Sequence, residues 1–353
     1  MGIGGENIDN GVVLAAIAKG VQTRSRFYAY RLPSCEELNF GAEVLGSDCY
    51  DGFRVEPFIM GGDYPSIFIK RELSAQQFMD MDITTIVCNQ DWDNSFKVIA
   101  KDEYMDMAND TIQRIKSGDF SKVVLSRLVV ENTYGVDWSA VFSLLMAAYT
   151  GAFLFIFNSE ESGLWIGASP ELLLKNSGNG HLSTMALAGT RVIADSAVKW
   201  DEKNITEQRM VADYVADQFR EVGLDSVMTE AYNRRAGAIE HICNDFIAEN
   251  ATAEQITDLL AKLHPTPALA GIPTAEVIDY LLETEVHRRG YYGGYIGYTN
   301  GAEFEYYVNL RSVQVGKYLS AAYVGGGLTA DSSAESEWDE TTQKSRSILK
   351  FLV

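Results

Sequence analysis

The chain has 353 residues, 46% hydrophobic and 22% charged, a globular balance that excludes wholesale disorder. Lys and Arg number 29 against 49 Asp and Glu, a formal net charge of −20 that repels nucleic acid phosphates and anionic membrane surfaces. An anionic substrate would need cations supplied inside its own site.

The N-terminal MGIGGENIDN is polar and lacks the basic segment of a signal peptide, and Glu6 spoils the myristoylation pattern begun by Gly2. The apolar run 12–18 is too short to span a bilayer. The pattern predicts a short helix over 14–21 and strands over 27–32 and 66–72. A helix follows over 102–117, with Met105, Ile112 and Ile115 on one face and Gly118 at its end. The β-branched run 122–130 reads as a strand with Lys122, Val124, Ser126 and Leu128 on one face. Short apolar runs follow at 152–157 and 164–168. Segments 171–175 and 181–188 flank NSGNG, a reversal signal. Helices are expected at about 202–222, 253–263 and 274–285. Strands return over 292–298, 303–314 and 318–324, separated by Asn300-Gly301 and by Gly316, and a last helix covers 333–352. Such close reversals force antiparallel neighbours, so the fold class is α+β with antiparallel meanders, not alternating βαβ. No glycine-rich fingerprint follows a strand, which argues against a dinucleotide cofactor. Length alone suggests about two domains. Cys35, Cys49, Cys88 and Cys243 are far apart and show no metal or redox spacing, which suits free thiols in a reducing cytoplasm.

Five groupings could carry chemistry, and each also has a plain structural reading. Glu337, Glu340 and Lys344 share one helix face, as a cation site or as a solvated face with an i,i+4 ion pair. Glu207 lies one turn before Val211 and points partly inward, for a metal or for a salt bridge. Lys122 opens an apolar strand, where burial could make it a general base or where it could snorkel to solvent. Glu171 follows Pro170 at a corner, as a protonated acid or as an exposed strand opener. Gly325-Gly326-Gly327 and the Ala188–Arg191 segment end strands and could offer amides to an anion or simply turn.

In order, these pieces resemble the chorismate-utilising enzymes, most closely those of the isochorismate synthase type. The strings are SKVVLSR (121–127), GASPELLL (167–174), LAGTR (187–191), EKNITEQRMV (202–211), LHPTPALAGIP (263–273), RGYYGGYIGY (289–298) and YVGGGLTADSSAESEWDETTQK (323–344). They run from 121 to 344, about two-thirds of the chain. The resemblance implies one domain over 1–353, with two large antiparallel sheets packed face to face and helices outside. The motif-bearing part is about 110–353, and 1–109 completes the sheets. It implies Mg²⁺-dependent conversion of chorismate to isochorismate, with water adding at C2 and the C4 hydroxyl leaving. The implied partners are chorismate alone, with no nucleic acid or membrane, in a cytoplasmic monomer or, alternatively, a dimer.

The resemblance also assigns roles. Lys122 matches the base that activates water and Glu171 the acid that protonates the departing hydroxyl. His241 matches a site histidine near the reacting ring. Glu207, Glu337 and Glu340 match metal carboxylates, with Lys344 beside them or at the substrate carboxylate. Tyr292, Arg311 and the amides around Gly325 and Gly327 match a carboxylate clamp. Gly189 and Thr190 line the ring-substituent side. Ala268 and Leu269 stand where the family separates water attack from later elimination. Anthranilate synthases carry glutamine where Lys122 stands, and aminodeoxychorismate synthases carry lysine at the position of Ala188. Salicylate synthases share Lys122 and go on to lose pyruvate, which makes them the nearest alternative; an anthranilate synthase component or a non-catalytic chorismate-binding protein stands further off. Three departures from the family pattern stand out. Asn204 replaces an acid, Gln208 replaces a histidine at a position expected to tune the metal, and no glycine follows Arg191.

Overall fold

The computed structural model describes residues 9–352 apart from 45, 47, 84–91, 194–198 and 237–238. The readings on Gly2, Glu6 and Cys88, and part of the segment after Arg191, lie outside the described residues. In chain order the first elements are α1 (Asn10–Thr23), β1 (Phe27–Arg31), β2 (Asn39–Ala42), β3 (Gly52–Glu56), β4 (Ile67–Lys70), α2 (Ala75–Asp80), α3 (Lys101–Ser117), β5 (Lys122–Asn132) and α4 (Trp138–Ala148). Next come β6 (Phe153–Ser159), β7 (Gly163–Ser169), β8 (Leu172–Asn176), β9 (Leu182–Val192), α5 (Glu202–Glu221), β10 (Ser226–Met228), β11 (Tyr232–Ala236) and β12 (Ile239–Ala248). The chain closes with α6 (Ala253–Leu263), β13 (Gly271–Ile272), α7 (Thr274–Thr284), β14 (Tyr295–Asn300), β15 (Glu303–Val308), β16 (Ser312–Val315), β17 (Leu319–Leu328) and α8 (Ala334–Leu349).

The strands form two antiparallel sheets. One has the order β13-β5-β17-β16-β7-β6-β1-β2, the other β10-β12-β9-β8-β15-β14-β3-β4, with β11 also paired to β12. Their inner faces meet in an aromatic core. Tyr28 stacks on Phe53 at 5.0 Å, Tyr30 on Tyr298 at 5.4 Å and Phe153 on Tyr307 at 4.2 Å, each pair bridging the sheets. The first sheet is covered on its outer face too. Phe27 and Ala29, alternating with Tyr28 and Tyr30, pack with Val13 and Ile17 of α1 and Phe142 of α4. Burial on both faces explains why β1 and β6 read as continuous apolar runs. On the second sheet, Val211, Val215 and Phe219 of α5 join Phe246 of β12 in the core. The α+β class with two packed antiparallel sheets and flanking helices is as expected.

Two expected strands differ. The run 303–314 splits into β15 and β16, which belong to different sheets. The break is at Arg311, whose φ of 50° ends extended geometry. The run 292–298 begins late, at Tyr295, because Tyr292 N donates to Arg289 O in a turn and Gly293 N donates to Asn309 O.

Candidate active site

Two of the chain's crossings between the sheets lie side by side. Pro170 and Glu171 link β7 to β8, and residues 309–311 link β15 to β16. Hydrogen bonds tie the crossings together. Val308 N donates to Glu171 O (3.0 Å), Ser169 Oγ to Val308 O (2.7 Å) and Ala168 N to Arg311 O (3.2 Å). A cavity of about 290 Å³ lies here, walled also by the ends of β9 and β17 and by α5 and α8. That is close to the lower end of the roughly 300–1,000 Å³ typical of small-ligand sites.

Glu171 lines the cavity and is 4% exposed. Burial pushes its carboxyl up to about 7, against the opposing pull of Lys122, Arg311 and the Thr266 hydroxyl. Lys122 is fully buried at the start of β5. It stands behind Gly327, where an added Cβ would lie 3.2 Å from its Cε. Its Nζ is 2.9 Å from Glu207 Oε1 but makes no well-angled hydrogen bond.

Three lysine–glutamate pairs surround the cavity. Besides Lys122–Glu207 there are Lys203–Glu337 at 2.8 Å and Lys344–Glu340 at 2.7 Å. Lys344 Nζ also donates to Gly325 O (2.9 Å). Burial lifts the Glu337 carboxyl, and Glu340 beside it adds to that. For Glu340, burial raises the carboxyl, but Lys344 with Lys203 and Lys122 together hold it below its usual range.

A bulge shapes the opposite wall. The β9–β12 register shifts between Glu240 and Ile242, opposite Gly189 and Thr190. Gly189 has φ 68°, a conformation that suits glycine. Its carbonyl accepts a hydrogen bond from His241 Nδ1 (2.6 Å), which leaves Nε2 to accept from the Arg311 guanidinium. Burial and the charge of Arg311 hold His241 well below its usual range, as a neutral ring. Burial also lowers Arg311, to about 10. Tyr292 lines the cavity and stacks on Tyr323 at 5.4 Å.

Of the residues singled out in the sequence, Glu171, Glu207, Gly189, Thr190, His241, Ala268, Leu269, Tyr292, Arg311, Gly325, Gly327, Glu340 and Lys344 all face this one cavity. Lys122 and Glu337 join it through their partners. Gln208 does not belong. Neighbouring Glu207 on α5, it turns the other way, donates to Asn244 Oδ1 and faces a separate surface hollow. Asn204 has a local task, since its Oδ1 accepts from Thr190 N at 3.1 Å and so props the bulge. Lys203 and Thr266 were not foreseen. Lys203 had a signal in its i,i+4 spacing to Glu207, whereas Thr266 had none beyond lying in a matched string.

The three expected metal carboxylates are not gathered as a ligand set. Among the described residues no group of three or more His, Cys, Asp or Glu stands together as a metal site. Their chemistry nevertheless fits a hard divalent cation. All three offer carboxylate oxygens, and Glu337 Oε2 is buried without a hydrogen bond. Gly326 and Gly327 leave room for them, because an added Cβ would come within 2.6 Å of Glu337 Oε2 and 2.8 Å of Glu207 Oε1.

Residues 66–353 match the family described as chorismate binding enzyme. Isochorismate synthase MenF of Bacillus subtilis (strain 168) is 27% identical over 267 residues, covering 71% of this chain and 56% of that protein. Anthranilate synthase component 1 of Aquifex aeolicus is 25% identical over 276 residues, covering 74% and 55%. The chain thus spans about half the length of the curated relatives it matches. The solved structure of MenF, the menaquinone-specific isochorismate synthase from Escherichia coli, superimposes with a TM-score of 0.81 at 17% identity, covering 99% of this chain and 92% of that one.

Proposed function

The chain belongs to the chorismate binding enzyme family, and from that premise we propose that it converts chorismate to isochorismate. Water bonds to ring C2 and gives a proton to Lys122. The C1=C2 and C5=C6 double bonds shift to C1=C6 and C4=C5, the C4–oxygen bond breaks, and Glu171 gives its proton to the departing hydroxyl. One water enters and one leaves. The observation that carries the reading is Glu171, a buried carboxyl raised to about 7 on the wall of a cavity whose other charged groups are mostly cationic or paired. Arg311 and Lys344 supply the positive charge that a dianion needs within a chain of net −20. His241 holds Arg311 in place.

We assign Glu207, Glu337 and Glu340 to Mg²⁺. When bound, Mg²⁺ would neutralise a substrate carboxylate and so favour binding and leaving-group departure.

The test is product analysis. Purified protein with chorismate and Mg²⁺ should give isochorismate without pyruvate, also when ammonium is present. Salicylate with pyruvate, or anthranilate, would reassign the reaction. Unchanged chorismate, together with a chorismate-dependent rise in Tm, would make the chain a binding protein.

A further inference from the structure

Lys203 and Glu207 stand four residues apart at the start of α5, a spacing that pairs neighbouring side chains on a helix. The structure does not use that pairing. Glu207 turns to Lys122, and Lys203 reaches to α8, where its Nζ lies 2.8 Å from Glu337 Oε1. Glu337 is 1% exposed, and its other oxygen has no hydrogen-bond partner among the described residues. A buried carboxylate left half satisfied is costly, and one lysine answers only half of it. Lys122 is locked in place, with a side chain 1% exposed, whereas the Lys203 side chain is 33% exposed and lines the cavity. A lysine on a flexible stem with an open side can withdraw.

We propose that Lys203 is an internal counter-ion that holds Glu337 in the metal-free chain and competes with the divalent ion for it. This rests on the Mg²⁺ assignment above. Lys203 holds the buried carboxylate in position before the metal arrives, and it weakens metal binding by its own charge. Removing that charge has a definite sign. The metal-free chain loses stability, because Glu337 is left without a cation, and divalent ions bind more tightly.

The test is calorimetric titration of the metal-free full chain with Mg²⁺, with Tm followed alongside. Lys203→Met should bind Mg²⁺ about tenfold more tightly than wild type, a discounted share of the Coulomb interaction for a partly exposed charge. Its Tm should be lower without metal and rise further on adding it. Lys203→Arg, which keeps the charge, should stay close to wild type in both readouts. Equal or weaker Mg²⁺ binding by Lys203→Met, in a wild type that binds, would overturn the competition alone. A wild type that takes up no Mg²⁺ would overturn the metal assignment and this proposal with it.

Discussion

With Glu171 as the proposed acid, stability and turnover depend on it in opposite directions. Its carboxyl is lifted from an ordinary 4.5 to about 7 chiefly by burial. A raised carboxyl binds its proton more tightly in the folded chain, so stability is fullest below about pH 4.5 and falls as pH rises towards 7. Above 7 the fold carries the whole cost, on the order of 3 kcal/mol as an upper figure. Glu171→Gln should therefore raise Tm at pH 8 and leave it little changed at pH 4.5, while turnover drops by about 10²–10⁴. The wild-type kcat/KM should fall on the alkaline side of about pH 7, where the acid is lost. Thermal melts of both proteins across pH check the first part, and initial rates check the second. Lys122 needs a different substitution. It is fully buried and packed behind Gly327, so alanine would leave a cavity as well as an unpaired Glu207. Lys122→Met keeps the volume, and Glu207 faces the open cavity, where water can reach it. We expect turnover to fall by at least about 10² with a stability loss of roughly 1–3 kcal/mol. Rates near wild type in a folded Lys122→Met protein would remove it as the base.

Elements place these groups, and one short strand end controls two of them. Gly326 and Gly327 close β17, where the Glu337 and Glu207 carboxylates lean over the backbone. Neither glycine has a left-handed φ, so alanine is conformationally acceptable at both. Its closest contacts would be the Glu337 and Glu207 carboxylates and the Lys122 stem, with the Thr341 methyl at ordinary van der Waals distance from the methyl at Gly326. Gly327→Ala should fold with a stability change within about 1 kcal/mol, yet lose at least tenfold in kcat/KM by pushing Glu207 and Lys122 apart. Parallel denaturant melts and kinetics separate the two effects. Much of this layer was legible in advance. The α3, α5, α6 and α7 helices came from spacing, and β5, β6 and β7 from dense β-branched and aromatic runs. The β15–β16 split was not legible, because 303–314 keeps a strand-like pattern across a change of sheet. What breaks it is the left-handed backbone at Arg311, a non-glycine residue that gives no composition signal. The helix α4 also escaped notice although Asp137 caps it, because its mean composition is apolar on several faces. The site was legible through the matched strings rather than through residue spacing. Spacing alone left every carboxylate with a plain structural reading. The resemblance, not the spacing, set Gln208 at a metal-tuning position, whereas a 100° turn of helix takes it to the far side of α5.

At the scale of the molecule, the aromatic core runs unbroken from Tyr28 to Tyr323 and draws on both sheets and α5. We propose that the chain unfolds as one cooperative unit, so calorimetry should record a single transition with matching calorimetric and van't Hoff enthalpies. The same body carries a net charge of −20, and that charge would act on the proposed dianionic substrate differently at long and short range. Far from the site the substrate meets overall repulsion. At the site it meets Arg311 and Lys344, both walled in by the cavity. Salt screens the two unequally. The Debye length shrinks from about 30 Å at 0.01 M to about 8 Å at 0.15 M, which removes most of the long-range repulsion. Contacts inside the cavity lie within a few ångströms and are screened far less. Raising ionic strength over that range at fixed free Mg²⁺ should therefore increase kcat/KM, by about two- to fivefold, mainly through a lower KM. A protein whose positive site dominated its field to long range would show the opposite slope. In Arg311→Gln the inner attraction is weakened while the outer field is almost unchanged, so its kcat/KM should start lower and still rise with salt. A falling profile in either protein would mean that the cationic wall, not the acidic body, governs approach.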